Sequence, residues 1–169
     1  MTTTAELTLR TATAGDIASV DALLAVAYPA SLKADYAPSV LVTAVPLISR
    51  ARPELVTSGT YSLAERGGRL LGAGGWTRVA PGGARAGQGV GHVRHLVVDH
   101  RAQRQGVGRA LMARVLAEAR EAGLTRLDCQ ATRTAVPFYA ALGFEVLGPI
   151  SVPLRPGIVF PAVAMRRAL

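Results

Sequence analysis

Gly106 and Gly108 stand just after an apolar, β-branched run and among the guanidinium groups of Arg101, Arg104 and Arg109, in the stretch HLVVDHRAQRQGVGRALM. Glycines at a strand-to-helix turn let an anion approach backbone N–H groups that a β-carbon would shield. The helix dipole adds partial positive charge at the same point, so the chemistry predicted for this turn is phosphate or pyrophosphate binding. Three further side chains have the character needed for proton transfer. His92 and His95 lie upstream on the same apolar run, and an imidazole, with a reference pKa of about 6.5, exchanges protons near neutral pH. Tyr139 keeps its phenolic proton at that pH and donates it without carrying charge. Cys129 is the only cysteine, which excludes an internal disulfide and a cysteine-based metal cage; it reads as a small buried residue, and no metal site is expected.

The elements that must position these groups follow from periodicity. ELTLRTA alternates Leu7 and Leu9 with polar residues and predicts a strand. Thr13 and Asp16 then form a capping pair, and Ile17, Val20, Leu23, Leu24 and Ala27 recur at helical spacing up to Pro29, which is expected to end the helix. Pro38, Pro46 and Pro53 break residues 31–57 into short helices. Two β-compatible runs flank Gly67-Gly68, a hairpin signal, and VGHVRHLVVD is a further strand. A helix over Arg109–Ala122 carries the stripe Leu111, Val115, Ala119 and Ala122, with Gly123 as its C-cap. LTRLDCQ is a strand, TAVPFYAALGF a short helix, and FEVLG and VFPAVAMRRAL two last strands. The order predicts one α/β domain over residues 1–169, with a mostly antiparallel sheet of about seven strands and a strand-helix-strand unit in its second half.

Three phosphate-binding readings of the glycine turn separate on residues. A nucleotide-triphosphate loop needs a lysine that is absent, and a dinucleotide fingerprint needs a third glycine where Leu111 stands. QRQGVG, Gln103 to Gly108, instead fits the Q/R-x-x-G-x-G/A signature of the GCN5-related N-acetyltransferase superfamily. LVVDHRA before it resembles that family's L-x-V-D-P segment, with His100 in place of proline, and YAALGF, Tyr139 to Phe144, resembles its Y-x-x-x-G-F element. The two motifs stand in the family's order, with a helix and a strand between them.

The resemblance implies acetyl-coenzyme A as donor. Its pyrophosphate would lie on the amides of Arg104, Gln105, Gly106, Val107, Gly108 and Arg109, with Arg101 and Gln103 beside it. Its pantetheine arm would pair like an added strand with Leu96, Val97 and Val98, where strands four and five splay apart. Tyr139 would donate a proton to the leaving thiolate, the alternative being a tyrosine that packs beside Phe138 against the sheet. Many relatives carry an asparagine before this helix, where Thr132 and Thr134 stand here, and Thr132 is the substitute carried forward. Several relatives place a glutamate or histidine base where His92 falls. Alternation puts His92, Arg94, Leu96 and Val98 on one face and Val93, His95 and Val97 on the other. A bulge would exchange the faces and bring in His95.

The function implied is acetyl transfer to a small amine or a peptide amino group, with a non-catalytic acyl-coenzyme A sensor as the alternative. Tyr28, Tyr36 and Trp76 are candidates to line the acceptor pocket, and Asp35, Glu54 and Glu65 are read as solvated surface carboxylates. The net charge of +8 and pI near 11.0 favour anionic ligands. Aromatics at 5% and dispersed arginines argue against nucleic acid. No export signal or membrane span is read, so a cytoplasmic protein is expected, with a homodimer through the apolar C-terminal strands.

Overall fold

Alternating strands, glycine turns and proline-started helices assemble into one sheet in this computed structural model, which describes residues 3–85 and 87–169. Across the sheet the strands run β1 (Leu7–Thr11), β2 (Tyr61–Arg66), β3 (Arg69–Thr77), β4 (Val90–Val98), β5 (Arg126–Ala131), β7 (Ile158–Ala168) and β6 (Glu145–Arg155). Every neighbouring pair is antiparallel except β4 with β5. The expected α/β class, with seven strands in a mixed, mostly antiparallel sheet, is the architecture observed.

Gly67 and Gly68 both adopt left-handed φ, 58° and 76°, and close the β2–β3 hairpin as their sequence predicts. The helices are α1 (Ile17–Leu32), α2 (Pro38–Thr43), α3 (Val45–Ile48), α4 (Pro53–Val56), α5 (Val107–Glu121) and α6 (Val136–Ala141). Prolines fall in the first turn of α2, α3 and α4, where a missing N–H leaves no bond unmade. Pro29 does not end α1, contrary to the expectation; the helix continues to Leu32. A proline strands only the carbonyl four residues back, here that of Ala25, and both residues are exposed, so the helix runs on without stranding that oxygen in the core. Ser31 Oγ adds a bond to the Ala27 carbonyl at 2.7 Å.

The two faces of the sheet bury different helices. Val20, Leu24 and Ala27 of α1 pack with Tyr61, Leu63, Ala73 and Val97. On the other face Met112, Val115, Leu116 and Ala119 of α5 pack with Val93, Leu127, Cys129 and Tyr139. Leu111, Val115 and Ala119 form the predicted stripe, but Ala122 is exposed because α5 has already ended at Glu121, and Gly123 follows in a left-handed turn. Strand β6 is longer than FEVLG suggests, while β7 matches VFPAVAMRRAL to within one residue at each end. Pro149 and Pro153 fit within β6 because it is the sheet's edge strand, where an N–H is dispensable. No helix among the described residues is long and apolar enough to cross a membrane.

Candidate active site

The parallel pairing of β4 with β5 covers only Val90–His92 against Arg126–Asp128. Beyond His92 the strands part, and the β4 backbone from Val93 to Val98 has a partner on the β3 side alone. Ladder groups without a neighbouring strand are open to an extended ligand. The parting opens a cavity of about 640 Å³, bordered by Val93 and His95–Val98 of β4, Cys129–Ala131 of β5, the turn entering α5, the C-terminal end of α1, and α6.

Within β4 the ladder slips. Ala73 faces Val97 and Gly75 faces Arg94, so His95 and Leu96 together oppose Gly74. A Cβ on Gly74 would lie 3.2 Å from Leu96 Cα and closer still to its side chain, so the bulge needs glycine there. His95 carries the strain, at φ 43°, a left-handed conformation uncommon for any residue but glycine. The buried Tyr61 hydroxyl donates to its carbonyl at 3.0 Å. Val93 and Val97, four residues apart, therefore pack in clusters on opposite faces of the sheet.

The slip decides which histidine meets the cavity. His95 borders it, its ring edge-on to Tyr28 at 6.5 Å between centroids. His92 does not border it; it lies opposite Asp128 in the parallel pair, and its Nε2 has no hydrogen-bond partner among the described residues. Alternation alone favours His92, and the bulge is the physical reason His95 arrives instead. Burial, with Arg94 and Arg52 nearby, lowers the His95 pKa to about 4, so the imidazole is neutral at pH 7. Burial lowers His92 as well, against the opposing pull of Asp128.

That neutrality has a consequence for stability. The unfolded chain protonates His95 at about 6.5 while the fold resists until about 4, so the His95 contribution is full above pH 6.5 and is lost as the pH falls through 4. His95→Gln is expected to flatten the fall in Tm between pH 6.5 and 4, measured by thermal unfolding at half-unit intervals. An unchanged slope would place the imidazole in solvent.

At the other end of the cavity the glycine turn enters α5. Gly106, at φ 81°, is the N-cap and supplies no side-chain cap, so the first N–H groups of the helix have neither a capping acceptor nor an intrahelical one. Arg104, at φ 61°, tightens the same turn. Gln103, Arg104, Gly106, Val107, Gly108 and Arg109 border the cavity together with Leu96, Val97 and Val98. A Cβ on Gly108 would press on Phe138 at 3.3 Å and on Val98 at 3.4 Å. This open, cationic turn beside an unpaired strand edge fits a pyrophosphate joined to an extended arm.

Two members of the expected phosphate set are engaged elsewhere. Arg101 folds back on the buried Asp99, whose carboxylate accepts from the Arg101 backbone N–H at 2.9 Å and from its guanidinium at 3.1 Å. Arg69 reaches the same carboxylate at 3.2 Å, and its pKa is held at about 2, chiefly by Arg101. Gln105 accepts from Arg66 at 2.7 Å. Neither Arg101 nor Gln105 borders the cavity; they tie the turn to Asp99 and to the end of the β2–β3 hairpin.

Tyr139 borders the cavity from α6. Its ring stands edge-on to Phe138 and Phe144, each 5.3 Å away between centroids, and burial raises the phenol well above its ordinary pKa. Cys129 faces it from β5, and burial pushes that thiol up to about 12. Thr132 Oγ1 caps the turn before α6 by accepting from the Ala135 N–H at 3.2 Å, and Thr134 donates to Asp35 at 2.6 Å; both border the cavity.

Of the candidate aromatics Tyr28 borders the cavity, while Tyr36 lies beside it, buried. Trp76 points to the α5 side, where its Nε1 donates to Glu118 at 3.1 Å. Ser31, Leu32, Gln130 and Phe138 also border the cavity and carry no sequence signal beyond their place on α1, β5 and α6. A second cavity of about 480 Å³, bordered by Arg126, Arg166 and Arg167, touches neither the glycine turn nor Tyr139.

Residues 43–165 match the family described as Acetyltransferase (GNAT) domain. The chain belongs to this family. No curated protein matches it by sequence. Among solved structures it resembles a GCN5-related N-acetyltransferase from Rhodopseudomonas palustris at 18% identity and TM-score 0.79, over 100% of this chain and 99% of that one. It resembles the PaiA N-acetyltransferase of Thermoplasma acidophilum in complex with coenzyme A at 10% identity and TM-score 0.72, over 97% and 99% of the two chains. The ribosomal-protein-S18-alanine N-acetyltransferase of Escherichia coli aligns at 16% identity and TM-score 0.65, over 96% and 94%.

Proposed function

We propose that the chain is an acetyl-coenzyme A dependent N-acetyltransferase that passes its acetyl group to an amine by direct attack. The observation that carries this reading is the meeting, in one cavity, of the unpaired β4 edge, the glycine turn of α5 and Tyr139. Leu96 to Val98 receive the pantetheine arm as an added strand, and the N–H groups of Val107, Gly108 and Arg109 hold the pyrophosphate, with Arg104 alongside.

His95, directly or through a water, relays towards solvent the proton that the ammonium must lose, since an imidazole held at about 4 passes a proton on without keeping it. The freed nitrogen attacks the thioester carbon, the C–N bond forms as the C–S bond breaks, Tyr139 gives its proton to the departing sulfur, and the second proton that the nitrogen sheds on becoming an amide restores the phenol. Cys129 takes no part as a nucleophile, because a thiol pushed up to about 12 stays protonated at neutral pH.

Release of coenzyme A thiol from acetyl-coenzyme A, followed across amines, peptides and polyamines, tests the reading. Amine-dependent thiol release is expected, with the amide product seen by mass. Tight coenzyme A binding with no transfer to any acceptor would identify a sensor instead. The same assay on His95→Ala and His92→Ala assigns the base: a variant that keeps the full rate and pH profile is not it.

A further inference from the structure

The bulge that brings His95 to the cavity is held by one hydroxyl. His95 and Leu96 together stand opposite Gly74, so His95 drops out of the ladder with β3. A carbonyl that leaves a ladder inside the fold needs another donor. Tyr61 of β2 supplies it. Tyr61 pairs with Gly75, and Gly75 with Arg94, which sets the three in one row across the sheet. A Cβ on Gly75 would come within 2.7 Å of the Tyr61 Cα, so the tyrosine passes over β3 at a residue that must lack a side chain. Its hydroxyl then donates to the His95 carbonyl at 3.0 Å. Tyr61 is 0% exposed, in the cluster that includes Val20, Leu24 and Ala27 of α1, and water has no access to replace it there.

The left-handed φ of 43° at His95 is unfavourable for a histidine and persists only where the surroundings fix it. Upstream, Val93 and Arg94 are paired to Trp76 and Gly75; downstream, Val97 and Val98 are paired to Ala73 and Gly72. Only His95 and Leu96 lie between these paired stretches. The Tyr61 bond therefore acts on His95 without setting the register of Val97 and Val98. The imidazole that results is faced edge-on by Tyr28 of α1, with Arg94 beside it on β4 and Arg52 nearby, ahead of α4.

We infer that Tyr61 is a positioning residue for the transfer: its hydroxyl holds the His95 carbonyl out of the ladder and so keeps the imidazole at the cavity. The part played in catalysis rests on the transfer reading above, whereas the placement of the ring does not.

Tyr61→Phe keeps the aromatic ring in the core and deletes the donor alone. Titration of the histidine rings by nuclear magnetic resonance reads their placement without any substrate. In the unmodified protein His95 is expected to stay neutral down to about pH 5, in keeping with its lowered pKa of about 4. In Tyr61→Phe its titration is expected to rise to about 6–6.5, as for an imidazole released from burial, while His92 and His100 keep theirs. Gly74→Ala crowds Leu96 and presses on the same bulge from β3, so it is the second variant should Tyr61→Phe fold badly, with the same rise expected. By thiol release, Tyr61→Phe is expected to lower kcat by at least about tenfold with KM for acetyl-coenzyme A within a factor of about two. Added to His95→Ala, it is expected to cost less than about twofold more, because the two act through one imidazole.

An unmoved His95 titration in both variants overturns the inference, whatever the rates. A ring that moves while kcat holds, or losses that multiply in the double variant, overturn the part in catalysis. No transfer by the unmodified protein to any amine defeats the transfer reading instead, and the titration still decides what Tyr61 holds.

Discussion

Tyr139→Phe is expected to lower kcat for acetyl transfer by about 10²-fold, within the range general acid catalysis supplies, while leaving KM for acetyl-coenzyme A within a factor of about two. The substitution removes one oxygen and little else. Phe138 and Phe144 hold the ring edge-on from two sides and do so equally for phenylalanine, so packing survives. Burial keeps the phenol protonated far above neutral pH, which leaves the hydroxyl a donor throughout the working range. A group that donates only as the sulfur departs acts in the transition state and not in binding, so the loss belongs in kcat. Steady-state kinetics with a saturating amine, together with coenzyme A titration calorimetry, separates the two. A Tyr139→Phe variant with undiminished kcat would leave the residue a packing group in the cluster that also contains Cys129 and Phe144.

What could be read in the sequence was local chemistry, and what could not was the pairing of distant segments. Gly106 and Gly108 announce their turn because φ and backbone approach are properties of single residues, and Gly67-Gly68 does the same for its hairpin. The succession of elements along the chain followed from periodicity, and its strand-helix-strand unit is β4, α5 and β5, the one parallel pair, whereas the insertion of β7 between β5 and β6 had no signal in periodicity. Pro29 misled because the effect of a proline depends on whether the carbonyl it strands faces water, which is a tertiary fact. The face exchange at His95 depends on how β3 and β4 align. The run GAGG around Gly74 was its only trace in the chain, and a glycine within a strand pattern does mark a bulge. Arg101 was assigned to phosphate on charge alone, whereas a carboxylate two residues away captured it. The Tyr36 hydroxyl joins the segment after α1 to β7 and to the turn before α6, and no window of sequence contains all three.

Gly106→Val is expected to weaken coenzyme A binding by roughly 10²-fold, the equivalent of one lost charge-assisted hydrogen bond of about 2–3 kcal/mol. The cause is the backbone. Gly106 sits at φ 81°, ψ 6°, where a β-branched residue is a genuine outlier that costs about 1–3 kcal/mol. No protein atom lies within 4 Å of the position a Cβ would take, so crowding by the fold is not the source. The chain is expected to relieve the strain by rotating the peptides that start α5, and these carry the N–H groups proposed to hold the pyrophosphate. A donor without that pyrophosphate should be indifferent to the change. S-acetylpantetheine, which retains the arm proposed to lie along Leu96 to Val98, is therefore expected to keep its KM in Gly106→Val while acetyl-coenzyme A loses affinity. Equal losses with both donors would mean that the turn supports the whole cavity and does not act as the phosphate cradle. Thermal unfolding supplies the control, since a fall in Tm too large for a strain of about 1–3 kcal/mol would point to the same conclusion.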